Sequence, residues 1–287
     1  MDYRKRFLVE PGSNLRLKKI DPAFKDEHES QKSAAIETQR HVDRMTELQY
    51  LLYADGNRSL LIVLQALDAG GKDGVVRHVF SAMNPQGTSV FGFKQPSKLE
   101  AAHDFLWRAH LRAPGKGEVV IFNRSHYEDV LVVRVHKLVP KPIWSKRYEL
   151  INNFEQTLVD NGTRILKFYL HISPVEQLER FKQRLDDPQR HWKISESDYF
   201  ERELWSDYID AFEEGMERTS TKHAPWYVIP SDHKWFRNLA ISAIVADTME
   251  DMDLKLPPTN VDIVEIRRKY HAAAEEQHHG HKPSKRS

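Results

Sequence analysis

The chain has 287 residues, enough for one large α/β domain or two small ones, and its 40% hydrophobic content can bury a sizeable core. Its 43 Lys and Arg stand against 42 Asp and Glu, a formal net charge of +1. That balance argues against bulk nucleic-acid binding and leaves any polyanion to be met by a local cluster of cations.

Residues 1–27 are polar and turn-rich and read as a surface-wrapping arm. The basic start Arg4, Lys5, Arg6 is followed by Phe7-Leu8-Val9, an apolar stretch too short for a signal peptide. No segment approaches the roughly 18 apolar residues of a membrane span. Cysteine is absent, which removes disulfides, thiolate metal sites and Cys nucleophiles together. The expectation is a soluble, cytoplasmic protein. From about Glu29 to Ala54, Ile36, Met45, Leu48, Leu51 and Leu52 fall mostly at helical spacing, and Asp55-Gly56 reads as the stop.

Leu60 to Leu64 is a run of five apolar residues suited to a buried parallel strand. It empties into Asp68-Ala69-Gly70-Gly71-Lys72-Asp73-Gly74, after which Val75, Val76, Val79, Phe80 and Met83 give a helical pattern. Strand, glycine turn, lysine and helix form the layout of a phosphate-binding loop. Its glycines let backbone N–H groups curl around phosphate oxygens, the helix N-terminus adds positive potential, and an exposed lysine supplies a mobile charge. Against the pattern G-x-x-x-x-G-K-[ST], this chain has Ala66 for the first glycine and Asp73 for the hydroxyl. That hydroxyl normally touches Mg²⁺, so metal must be held otherwise, through Asp68 or Asp73.

Thr88 to Phe93 reads as a short strand, and Ser97-Lys98-Leu99-Glu100 has capping-box spacing ahead of one helix through Phe105, Leu106 and Ala109. Glu118 to Phe122 reads as another buried strand. It ends in Asn123-Arg124-Ser125-His126-Tyr127-Glu128-Asp129, polar groups where ligands bind in open α/β sheets. A helix over about 142–160 stops at Asn161-Gly162, Arg164 to Leu170 forms a strand, and Pro174 opens the next helix. Trp226 to Pro230 is a final strand, and a helix over about 234–252 closes the domain. Strands alternating with helices predict a mostly parallel sheet with helices on both faces.

The segment 180–222 is heavily charged. Arg180 and Arg184 share a helical face, followed by Arg190 and Lys193. Read alone, it suits a solvated helix face laced with Glu176, Glu179, Asp186 and Asp187; read with a phosphate loop and Arg124, it suits a helical lid that supplies cations to a phosphoryl group in transfer. Trp192, Tyr199, Phe200 and Trp205 suit either stacking on a base or packing of that lid. His126 and His136 stay outside the catalytic set, because an anionic phosphate acceptor hardly needs a general base. Beyond Pro257-Pro258 the chain reads as a polar, solvated tail carrying His278, His279 and His281.

Three stretches together resemble the polyphosphate kinase 2 family: 66–74 (Ala-Leu-Asp-Ala-Gly-Gly-Lys-Asp-Gly), 122–129 (Phe-Asn-Arg-Ser-His-Tyr-Glu-Asp) and 184–188 (Arg-Leu-Asp-Asp-Pro). Ala224 to Pro230 extends the match, so that it spans about residues 45–255. The resemblance implies a P-loop kinase-like three-layer sandwich and Mg²⁺-dependent phosphoryl transfer between inorganic polyphosphate and nucleotides. It implies that Asp68 organises Mg²⁺ and the acceptor, with Asn123 or Glu128 acting on the metal through water. Lys72 would grip the phosphoryl group in flight. Arg124 would bind polyphosphate or the acceptor phosphate, and Arg180 and Arg184 would belong to the closing lid. Ala69, Gly70, Gly71, Asp73 and Gly74 would cradle phosphate. Asn123 stands where many members carry an acid, and Asn123 with Glu128 resembles the subgroup that accepts both AMP and ADP. A homo-oligomer, dimer or tetramer, is implied as well.

The resulting expectation is an arm (1–27), a phosphotransferase domain (28–256, with a lid at about 180–222) and a polar tail (257–287). This domain would convert AMP to ADP and ADP to ATP with polyphosphate, touching neither nucleic acid nor membrane. Two rivals stand beside it. An ATP-dependent kinase of a small metabolite is disfavoured by Asp73 in the hydroxyl position; a non-catalytic phosphate-binding regulator is disfavoured by Lys72, Asp68 and the lid arginines occurring together.

Overall fold

In a computed structural model describing residues 1–28 and 30–280, the apolar run forms β2 (Ser59–Gln65), seven residues buried on both faces. The other strands are β1 (Leu8–Val9), β3 (Thr88–Gly92), β4 (Val119–Asn123), β5 (Thr163–His171) and β6 (Trp226–Pro230). They form one sheet in the order β1-β6-β5-β2-β4-β3, parallel except for β1, which pairs antiparallel with β6. The arm therefore supplies an edge strand and buries Tyr3, Phe7, Val9 and Leu17.

Alternation along β2 sends Ile62 and Leu64 to a core with Leu239, Ile244 and Val75, and Leu61 and Val63 to a core with Ile151, Tyr169 and Phe212. Helices cover both faces, as a parallel sheet requires. Strands β4 and β3 lie to one side of β2, β5 and β6 to the other, so the C-terminal end of β2 is the switch point where such sheets bind ligands. Register carries Asn123 level with Leu64, and the two loops leaving β2 and β4 emerge side by side.

The helix Gln31–Asp55 ends at Gly56, whose φ of 60° lies in the left-handed region a C-terminal glycine serves. Two expected helices are each broken. The capping box at Ser97 and Glu100 forms, but it starts only Lys98–Ala101. Asp104 then turns the chain by accepting from the Leu106 N–H over 2.9 Å, and a second turn covers Trp107–His110. The expected 142–160 helix is Lys141–Trp144 and Arg147–Asp160.

Residues Met1–Lys255 form one compact unit, and a second begins at Leu256. Within the second, Ile263–Gly280 is helical, and over 263–277 most side chains are exposed to solvent. Asp262 accepts from the N–H groups of Val264 and Glu265 and supplies the start signal. His281 lies outside the described residues. Among the described residues, no helix is long and apolar enough to cross a membrane.

Candidate functional site

The loop between β2 and the helix Lys72–Val79 is shaped by close approach. A Cβ on Gly70 would lie 2.4 Å from the Ala66 Cβ, so that pair has no room for larger side chains. Gly71, at φ 100°, caps the helix, and Ala69 also has positive φ (58°), a strained choice for a residue with a side chain.

Lys72 is buried, with 9% of its surface exposed, where the sequence suggests an exposed loop lysine. Its Nζ donates to the Ala66 carbonyl over 2.9 Å. Burial, with the Arg124 charge adding to it, pulls the ammonium down to about 8.

At the end of β4, Arg124 sits at φ 60° and donates to Asp68 Oδ1 over 2.9 Å, with its other terminal nitrogen 3.7 Å from Glu128 Oε2. The turn beneath it is tied down by buried Ser125, which accepts from Gln65 at 3.0 Å and from the Tyr127 N–H at 3.2 Å. Deeper still, Lys167 bridges Glu155 (2.5 Å), Tyr127 (2.9 Å) and the Thr219 carbonyl (2.8 Å). His126 reaches the same Glu155 over 3.4 Å, so it is a fully buried part of the scaffold, outside the cleft. Burial raises the Glu128 carboxyl above the ordinary carboxylate value, against the opposing charges of Arg124 and Lys72.

Asn123 donates to Asp73 Oδ1 over 2.9 Å, and Lys193 pairs with Asp73 Oδ2 at 3.1 Å. Burial pushes the Asp73 carboxyl up, but these partners outweigh it and hold the group below its usual value.

The two arginines of one helical face serve different ends. Arg180 is buried and donates to the carbonyls of Ala69 (2.8 Å), Ser231 and Asp232 (3.4 Å) and to Glu176 (2.7 Å), strapping the phosphate loop to the end of β6. Arg184 lines the open cleft, donating to the Lys193 carbonyl over 2.8 Å. Within 180–222, the helix Trp205–Thr219 buries Tyr208, Ala211, Phe212 and Met216 in the core, while Trp192 and Phe200 are 78% and 66% exposed. Packing therefore does not explain those two aromatics. Trp205 instead lines a smaller pocket with Tyr208, Phe212, Leu131, Glu128 and Arg124.

All of the expected site residues meet at one cleft and this adjoining pocket. Two participants, Gln177 and Arg237, had no distinguishing signal in the sequence, and a third, Lys193, stood out only as a member of the basic run after Arg184. Gln177 holds the Asp68 carbonyl over 2.9 Å, Lys193 reaches Asp73, and Arg237 lies against Gly71. Spacing reveals none of these contacts, because each residue arrives from a distant helix or turn.

Among the described residues, no cluster of three or more His, Asp or Glu forms a protein-only metal cage. Asp68, with Glu128 near the same guanidinium, is a sparse oxygen set. It fits Mg²⁺, which takes one or two carboxylates and fills its octahedron with water and phosphate oxygens.

Comparison with known proteins agrees with this geometry. The model of the family described as polyphosphate kinase 2 matches residues 27–257. An AMP/ADP-polyphosphate phosphotransferase of Meiothermus ruber is 49% identical over 254 residues, covering 88% of this chain and 95% of that one. An ADP-polyphosphate phosphotransferase of Rhodopseudomonas palustris is 45% identical, covering 89% and 92%. The crystal structure of polyphosphate kinase 2 from Arthrobacter aurescens superposes with a TM-score of 0.91 at 38% identity, over 95% of this chain and 97% of that one. With its phosphate loop, strand-end arginine and doubly covered, mostly parallel sheet, this chain belongs to the polyphosphate kinase 2 family.

Proposed function

We propose that the protein transfers phosphoryl groups reversibly between inorganic polyphosphate and adenine nucleotides, converting AMP to ADP and ADP to ATP. The observation that carries this reading is the convergence of Lys72, Arg124, Arg184 and Lys193 on one cleft floored by a glycine loop, in a chain of near-zero net charge. Such a cluster suits a long linear polyanion. Both relatives named above act on polyphosphate.

In the forward step an acceptor phosphate oxygen attacks the terminal phosphorus of polyphosphate. The bridging P–O bond breaks, and the electron pair leaves with a chain shortened by one unit. Lys72 grips the moving group, Arg124 orients the acceptor phosphate and Arg184 neutralises charge from the lid side, so the work is positioning and electrostatics. Asp68 would hold Mg²⁺, with Asn123 or Glu128 acting through water, and the metal would supply further charge neutralisation. The exposed stretch around 187–203 serves as the moving part of the lid. We assign the protein to the cytoplasm and to a homo-oligomer, dimer or tetramer.

The test is a time course with long-chain polyphosphate, Mg²⁺ and AMP, nucleotides being resolved as they form. ADP followed by ATP is expected, and chelation of Mg²⁺ stops both. No nucleotide product, with ATP consumed only when a small metabolite is added, would sink the reading in favour of an ordinary kinase.

A further inference from the structure

The phosphate loop is backed by a cation that has no counter-charge among the described residues. Arg237 stands in the first turn of the helix Lys234–Glu250, and only 2% of its surface is exposed. Among the described residues its guanidinium donates solely to the side-chain oxygen of Asn238, at 2.8 and 3.2 Å. No carboxylate pairs with it there, and the charge acting on it is a second cation, Arg180. Burial, reinforced by Arg180, pulls it well below the ordinary guanidinium value, down to about 9.

Its position is specific. A Cβ on Gly71 would lie 2.0 Å from Nη1, and one on Gly74 would lie 3.1 Å from Nη2, so two loop glycines leave room for this guanidinium. It lines the same cleft as Lys72. A structural strut looks different. Arg180 is also buried, yet it spends its donors on the Ala69 and Ser231 carbonyls and on Glu176. Among the described residues, Arg237 holds no backbone group. A buried cation without a partner carries a heavy desolvation cost, which a bound anion would offset.

We propose that Arg237 is a donor-binding residue, its guanidinium being the counter-charge for a phosphate of the polyphosphate chain seated against Gly71 and Gly74. This rests on the polyphosphate reading above. Guanidinium and phosphate match in planar, two-point hydrogen bonding, so lysine is an incomplete substitute. A residue kept for ligand binding at the expense of the free protein has an unusual signature: removing its charge stabilises the ligand-free fold while weakening the ligand.

The experiment compares wild type, Arg237→Met, Arg237→Gln and Arg237→Lys by thermal melting, with and without inorganic tripolyphosphate, and by steady-state kinetics. Arg237→Met should melt above wild type without ligand and lose most of the tripolyphosphate-induced shift. Its KM for polyphosphate should rise at least about tenfold, with kcat changed less. Arg237→Lys should retain part of the shift. A wild-type shift that persists at full size in either Arg237→Met or Arg237→Gln overturns this inference alone. A wild-type protein that tripolyphosphate does not shift, and that forms no ATP from polyphosphate, overturns the polyphosphate reading with it.

Discussion

Arg124 donates to Asp68 across 2.9 Å, joining the loop that leaves β4 to the loop that leaves β2. Burial works against the Arg124 charge, but Glu128 and Asp68 outweigh it and raise the guanidinium's pKa above its ordinary value. Asp68 is thereby held at the cleft with a second oxygen to offer. Asp68→Asn keeps an acceptor for Arg124 but removes the charge a metal needs. The Mg²⁺ concentration for half-maximal rate should rise at least about tenfold, measured by metal titration at fixed polyphosphate. An unchanged titration would place the metal elsewhere.

Lys72→Ala should lower turnover by about 10²–10³-fold or more. Because the lysine is buried and its ammonium is desolvated, its removal should leave melting unchanged or slightly raised. Retained activity in a folded Lys72→Ala protein contradicts the phosphate-loop assignment.

The two helix arginines should separate. Arg184 faces the cleft, and Arg184→Ala should lower kcat by at least about 10²-fold, by analogy with arginine fingers, with little change in melting. Arg180→Ala breaks bonds to Ala69, Ser231 and Glu176, so it should destabilise the fold by about 3–5 kcal/mol and raise the KM for polyphosphate. Identical behaviour of the two variants in denaturant unfolding and kinetics would argue against this division.

Glu128 lies 3.7 Å from Arg124 and lines, with it, a pocket walled by Trp205, Tyr208 and Phe212. A carboxylate near phosphate oxygens repels them unless a cation intervenes, so its replacement should bear differently on acceptors ending in an α- or a β-phosphate. Glu128→Asn should slow the AMP and ADP steps by unequal factors. Equal slowing of both steps in a resolved time course would remove its role in acceptor choice.

Burial holds His41, His126 and His171 below the ordinary histidine value of 6.5. The unfolded chain therefore binds more protons than the folded one once pH falls below about 6.5. The stability associated with these neutral rings is present above that pH and is lost as pH falls toward the depressed folded values. Denaturant unfolding should give a plateau near pH 7–8 and a decline toward about pH 5. A midpoint that rises on acidification would show that other groups dominate.

What the sequence alone determined is what travels in short windows. The run Leu60–Leu64, the glycine turn, Lys72 and the following helix are contiguous, and each follows from hydrophobic period, glycine conformational freedom or capping chemistry. The strand-end cluster at 123–129 was legible for the same reason, as was the start of the helix at Pro174. Periodicity did not reveal where a helix breaks. The 97–109 stretch has apolar spacing throughout, and the single side-chain acceptor of Asp104 outweighs it.

Tertiary structure decided which charges are buried and whom they meet. Lys193 reaches Asp73 from 120 residues away, and Arg180 reaches Ala69 from 111. Arg180 and Arg184 are alike in sequence, one turn apart on one face. Both line the cleft, but packing against the end of β6 makes the first a buried strut and leaves the second donating to the Lys193 carbonyl. Lys72 becomes a desolvated amine, and Arg237 meets Gly71, because folding brings distant segments within contact and excludes water between them. Local pattern encodes the elements; the dielectric and the partners of each charge exist only once those elements have packed.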